Sequence, residues 1–397
     1  MTTMKQSAAT LSRPVTLLLA VACGLAVANI YFAQPLLDEI ASEFGIAHSS
    51  VGFIITITQI SYALGLFFLV PLGDLVDRRR LVISMLMLSV LGLLVTGWAP
   101  NSIVLFAGLA AVGLLAVVVQ VLVAFAADLA GTAKRGSAVG VVTSGVVTGI
   151  LLARTVAGIL TDLGGWRTVY FVSSVLTLVT AYAMFKVLPS RHQKAEPALT
   201  YPKLLRSVLA LFAQEPLLRI RAVLAMLIFA AFSILWTSLV LPLSEPPLSL
   251  SHTVIGAFGL AGAAGALSAA RAGYLADRGL GQRTTGLALV LLLASWLPIA
   301  FVEHSLWLLV IGVIALDFAV QAVHVTNQSM IMGVRPESRS RLTAGYMIFY
   351  SIGSASGAIA STVVYSHAGW SAVSLLGAAV SALALIFWAA TRRITAR

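Results

Sequence analysis

Asp317, Gln321, His324 and Gln328 recur at i, i+4, i+7 and i+11 within an otherwise apolar stretch. That spacing places all four on one face of a helix. A carboxylic acid and an imidazole on such a stripe can take up and release protons, and amides beside them can hold polar groups of a solute. Arg154 is the second ionisable residue out of place. It stands in TGILLARTVAG, residues 148–158, among small or aliphatic neighbours. An arginine at the centre of a membrane helix costs about 2.5–3.5 kcal/mol on insertion scales. Arg154 lies six residues from the outer end of its apolar run, about 9 Å deep, and Asp317 eleven residues into its own, about 16 Å. Asp317 is the expected acidic counterpart of Arg154. A solute competing for the guanidinium would then alter how tightly Asp317 holds a proton. His324 is the second candidate for the proton, and a permanent salt bridge between Arg154 and Asp317 is the alternative to any coupling role.

The elements that position these residues follow from composition. Of 397 residues 59 % are hydrophobic and 10 % charged, with a mean hydropathy of +1.00. Crossing the roughly 30 Å hydrocarbon core takes about 20 apolar residues per helix. Such runs fall near 15–37, 51–70, 81–98, 103–127, 137–160, 169–188, 220–243, 253–275, 285–302, 306–332, 342–365 and 372–390. Alternating barrel-type segments are absent, so the expected fold is an all-α integral membrane bundle of twelve transmembrane helices.

The net charge of +11 reads as topology rather than as a nucleic-acid surface. In this arrangement 23 of the 25 basic residues, Arg221 among them, fall in alternate connections on one side. Arg167 remains on the other side and Arg154 within a span. The bias places both termini in the cytoplasm, with a bacterial inner membrane as the expected location and anionic lipid headgroups as secondary partners. Cys23 is the only cysteine, which excludes an internal disulfide. Its position in the first apolar run suits a buried thiol.

The chain reads as two halves, 1–190 and 219–397, joined by a basic, proline-containing loop over 191–218. Leu204, Leu205, Val208, Leu211 and Phe212 give that loop the spacing of an amphipathic surface helix. GDLVDRRR at 73–80 returns as GYLADRGLGQR at 273–283, Gln120 returns as Gln321, and GGW at 164–166 returns as AGW at 368–370. Offsets of 200, 201 and 204 in the same order indicate a duplicated six-helix unit.

On these motifs the chain resembles the major facilitator superfamily, within it the drug:proton antiporter branch. The family's loop between the second and third spans corresponds to Gly73, Leu75, Asp77 and Arg78, and its repeat to Gly273, Leu275, Asp277 and Arg278. The resemblance implies a cytoplasmic latch that Asp128 joins, in which an aspartate faces a neighbouring helix N-terminus. The fifth-span antiporter pattern G-x8-G-x3-G-P-x2-G-G corresponds to Gly140, Gly149, Ala153, Arg154, Ala157 and Gly158, so the guanidinium occupies the proline position. Gly145, Gly149, Ala153 and Ala157 form an i, i+4 stripe of small residues, continued by Gly158, against which another helix can pack.

Gln59, Tyr62, Gln120, Trp236, Tyr346 and Tyr350 are the further residues expected to face a central cavity, a mixture suited to a modest amphipathic solute. Together these features point to a secondary transporter that exports drug-like compounds or metabolites in exchange for protons. A proton-linked uptake symporter of the same fold is the alternative. No HExxH, G-x-S-x-G, P-loop or dinucleotide motif is present, so neither a membrane enzyme nor a receptor is favoured. No cofactor or metal is expected. The expected partners are a small-molecule solute, protons and lipid, with the chain acting as a monomer.

Overall fold

The computed structural model describes residues 13–189, 200–268, 276–335 and 338–394, and its described elements are all helical. Twelve principal helices result: α1 (Arg13–Tyr31), α2 (Gly52–Phe68), α3 (Arg78–Gly97), α4 (Ser102–Leu129), α5 (Gly131–Gly164), α6 (Trp166–Val187), α7 (Pro216–Ser238), α8 (His252–Ser268), α9 (Gly281–Ile299) and α10 (Leu306–Val334), followed by α11 over 339–368 and α12 over 370–391. Among the described residues, ten helical segments are long and apolar enough to cross a membrane. The last of these holds two spans, and α8 is a shorter apolar helix. With no water in a bilayer core, the intrahelical hydrogen bonds satisfy the backbone and the apolar side chains cover it.

Helix ends are set by local chemistry. Asp77, Asn101 and Ser305 accept the backbone N–H three residues on, at 2.8, 3.0 and 3.4 Å, and so cap α3, α4 and α10. The duplicated tripeptide marks one device used twice. Gly165 and Gly369 both take positive φ, 78° and 69°, where only glycine avoids a Cβ clash. Each reverses the chain into a helix whose first tryptophan, Trp166 or Trp370, is buried.

The helices form two six-helix bundles that meet along two seams, α5 against α8 and α2 against α11. The helix Tyr201–Gln214 lies across one end, with Leu204, Val208 and Leu211 buried. Tyr201 donates its hydroxyl to the Phe68 carbonyl at 2.8 Å, and Phe212 stacks on Phe349 with centroids 5.3 Å apart. This connector therefore touches both bundles.

Two boundaries differ from the sequence reading in ways that matter. Helix α5 continues to Gly164 rather than stopping near 160, which puts Arg154 about 15 Å from its end. Arg154 and Asp317 thus lie at nearly equal depth. Helix α7 begins at Pro216, so Arg221 is not a loop residue: it is wholly buried, with Nη1 donating to Thr285 Oγ1 at 3.2 Å and Asn327 Oδ1 at 3.1 Å.

Candidate functional site

A cavity of about 580 Å³ lies between the bundles. It runs from the end carrying Arg78 and Arg341 to an aromatic layer made by Tyr31, Phe229, Phe232 and Tyr350. From α10, Gln321, His324 and Gln328 line it, and Tyr62 and Gln120 face them from the other bundle. Three members of the predicted α10 stripe therefore share one wall. Every ionised residue among the described lining is basic.

The aromatic layer closes the cavity. Tyr31 and Tyr350, from opposite bundles, share a hydrogen bond of 2.5 Å between hydroxyls. Tyr31 also meets Phe232 edge-on at 6.5 Å. Arg154 lies behind these rings and does not line the cavity. Its guanidinium carbon is 5.2 Å from the Tyr31 centroid, 5.4 Å from Phe232 and 3.9 Å from Trp236. Nε donates to Gln34 Oε1 at 2.9 Å, whereas the buried Nη2 has no partner. A desolvated cation–π contact is worth about 2 kcal/mol and a hydrogen bond to a charged group about 1.5–3 kcal/mol. These are of the size of the insertion cost, so Arg154 is held without a carboxylate partner.

Asp317 is buried at the same level, and no ion pair joins it to Arg154 among the described residues. Trp236 stands between them: its indole face receives the guanidinium while Nε1 donates to Asp317 Oδ1 at 3.1 Å. The other carboxylate oxygen rests where Gly262 has no side chain; a Cβ there would approach Oδ2 to 1.9 Å.

The remaining predicted cavity residues lie off the cavity. Gln59 is buried elsewhere, and Tyr346 stands behind His324, within 2.9 Å of Nδ1. Asn327 Nδ2 donates to the same Tyr346 hydroxyl at 3.4 Å, and Arg221 donates to Asn327. A hydrogen-bond chain thus runs from a buried guanidinium to an imidazole on the cavity wall. Neither Arg221 nor Asn327 was expected from sequence, because nothing in their local pattern separates them from a helix end and a packing amide.

The two ends of the bundle are built differently. At the arginine-rich end Arg78 pairs with Asp128 and donates Nε to the Gly73 carbonyl at 2.8 Å, all within one bundle. Asp77 caps its own helix there rather than a neighbouring one. Gly273 lies outside the described residues, and only the backbone is described at Asp277; Arg278 is exposed. At the opposite end a carboxylate does cap a helix of the other bundle. Asp162 accepts the backbone N–H groups of His252 and Thr253 at 3.2 and 2.8 Å, at the start of α8. The His252 ring lies between Asp38 and Asp162, at 3.2 and 3.4 Å. Thr155 donates to the Gly256 carbonyl at 3.0 Å along the same seam, and Thr56 to Ala355 at 3.0 Å along the other.

The small-residue stripe of α5 divides between two duties. Gly145 and Gly149 lie against the α1 backbone at Ala20 and Gly24, inside one bundle. Gly158 lies against the His252 carbonyl of α8, across the seam. Ala153 is buried between these stretches, next to Arg154.

Comparison with known proteins agrees with this architecture. The family model described as Major Facilitator Superfamily matches residues 17–293 and 222–397. The protein is 50 % identical over 378 residues to "Uncharacterized transporter YgaY" of Escherichia coli O157:H7, covering 95 % of each chain. It is 23 % identical over 357 residues to a protein of Helicobacter pylori named "Probable sugar efflux transporter", covering 89 % of this chain and 88 % of that one. Among solved structures, a bacterial homolog of the human lysosomal transporter Spinster, in an inward-facing and occupied conformation, superposes with a TM-score of 0.77 at 14 % identity. That match covers 96 % and 98 % of the two chains. The chain belongs to the major facilitator superfamily and is a multi-pass membrane transporter.

Proposed function

We propose that this transporter exports a small amphipathic solute in exchange for protons, by alternating access between bundles comprising 1–190 and 219–397. With the arginine-rich end in the cytoplasm, as the distribution of basic residues favours, the structure is an inward-open state. The observation that carries the reading is the asymmetry of closure. The cavity reaches Arg78 and Arg341 at one end, while the Tyr31–Tyr350 hydrogen bond and two inter-bundle seams join the bundles toward its other end. Exchange of that closure from one end to the other moves a bound solute across.

Asp317 is the proposed proton carrier. It is a buried acid beside an arginine but not paired with it, so either protonation state can be accommodated by a small shift against Trp236. His324 is tethered through Tyr346 and Asn327 to the cationic Arg221, which suits it to positioning solute. Arg78, Asp128 and Gly73 hold the open cytoplasmic rim within one bundle, and the name of the Helicobacter pylori relative favours the outward direction.

Proteoliposomes with an imposed pH gradient provide the test. Solute-dependent proton movement is expected in the native protein and is expected to vanish in Asp317→Asn, which keeps the acceptor for Trp236. Unchanged coupling in that variant overturns the assignment, and solute accumulation with inward proton flow in vesicles whose protein has its arginine-rich end in the lumen overturns the export direction.

A further inference from the structure

On the transporter reading, we infer that the solute is an organic anion, an aromatic or aliphatic body bearing a carboxylate or similar group, and that Arg154 is the cation that binds this group in the occluded state. Four observations converge on this. The described cavity lining carries Arg78 and Arg341 at its rim and no acidic residue; Arg78 is paired with Asp128, so Arg341 is the rim charge that bears on a solute. Arg341 at the rim donates Nη2 to the neutral Ser338 Oγ at 3.1 Å, leaving its charge available to attract an anion.

At the far end, Tyr31, Phe229, Phe232 and Tyr350 offer a surface for an apolar body. Immediately behind Tyr31 and Phe232 lies Arg154, 3 % exposed, with Nη2 unpartnered. Asp317 makes no ion pair with it and accepts a hydrogen bond from the Trp236 indole N–H. A guanidinium with an unused donor fits a carboxylate that reaches it once the Tyr31–Tyr350 hydrogen bond parts. A neutral solute would leave both the rim charge and that donor without a purpose.

The test is equilibrium binding to the purified full-length protein, read by tryptophan fluorescence and independently by calorimetry. The probes are phenylacetate, 4-phenylbutyrate and 1-naphthaleneacetate, each with its neutral amide and the amine of matching length. Binding of at least one carboxylate about 10–100-fold tighter than its amide is expected, with the amines weakest. That preference should disappear in Arg154→Gln and persist in part in Arg154→Lys, whose thermal melting also controls for folding. Equal binding within each trio, preference for the amines, an anion preference unchanged in Arg154→Gln, or failure of every carboxylate overturns the inference. Arg154-dependent anion binding without flux would refute transport of these solutes while leaving the site standing. Proton-linked flux of the amines would do the reverse.

Discussion

Arg154 and Asp317 contact the same indole at right angles to each other's chemistry: the guanidinium sits over the face of Trp236, 3.9 Å from a ring centroid, and the carboxylate takes the edge N–H at 3.1 Å. The two charges come from different bundles and are kept apart by one aromatic side chain. A direct salt bridge would bind them to each other; the interposed ring leaves each able to respond to a third party.

Trp236→Phe separates the two contacts. It keeps an aromatic face for Arg154 and removes the donor to Asp317. Loss of a hydrogen bond to a buried charged group costs about 1–3 kcal/mol, so thermal unfolding should fall modestly and proton coupling should fall sharply. Retained coupling with the same loss of stability would make the indole a packing group only.

Gly262→Ala is expected to act on Asp317 from behind. The added methyl would meet Oδ2 at 1.9 Å and Trp236 Cζ2 at 3.1 Å, so the carboxylate must move. Coupling should resemble that of Asp317→Asn, measured as protons moved per solute. Gly333→Ala on the same helix as Asp317 is the control, since nothing lies within 4 Å of the position, and it should leave flux unchanged.

Asp162→Ala should loosen the closed end. It removes two caps from α8 and one neighbour of His252, and loss of a cap costs about 0.5–2 kcal/mol. At about 1 kcal/mol the balance of the two states moves roughly fivefold. Spin labels at N101C and E303C, in a Cys23→Ser background, report the distance between bundles at that end. A larger population of long distances is expected; an unchanged distribution would show that the cap does not hold the seam.

Glycines within one helix should fail in different ways. Gly145→Val pushes α5 from Ala20 of its own bundle, where a Cβ would meet a carbonyl oxygen at 2.2 Å. Reduced folded yield is expected. Gly158→Val pushes α5 from His252 of the other bundle, where the approach is 2.1 Å. That variant should fold and populate the long distance. Equal loss of folded protein from both would dissolve the distinction.

The apolar runs, the duplicated tripeptide and the α10 stripe were legible because period and repetition are properties of the chain itself. Three of four stripe residues line the cavity for that reason. The length of α5 was not legible. Thr161 and Asp162 look like a polar exit from the membrane, but His252 and Thr253 absorb the carboxylate and the helix continues. Arg221 was hidden in the same manner, since Thr285 and Asn327 make a buried position tolerable only after folding. Arg154 announced itself by cost, whereas Gln34 and Trp236, which hold it, are ordinary residues until tertiary contact gives them a role.

The thinness of the aromatic closure has an electrical consequence. A cavity open to one side brings that side's potential up to Tyr31 and Tyr350, so the membrane voltage falls mainly across the sealed layer beyond them. Arg154 and Asp317 lie in that layer. Moving one elementary charge through the full drop is worth about 2.3 kcal/mol per 100 mV. Any displacement of these two residues, or of a solute bound to them, therefore performs work against the resting potential, and the rate of turnover should depend on voltage even where the pH difference is zero.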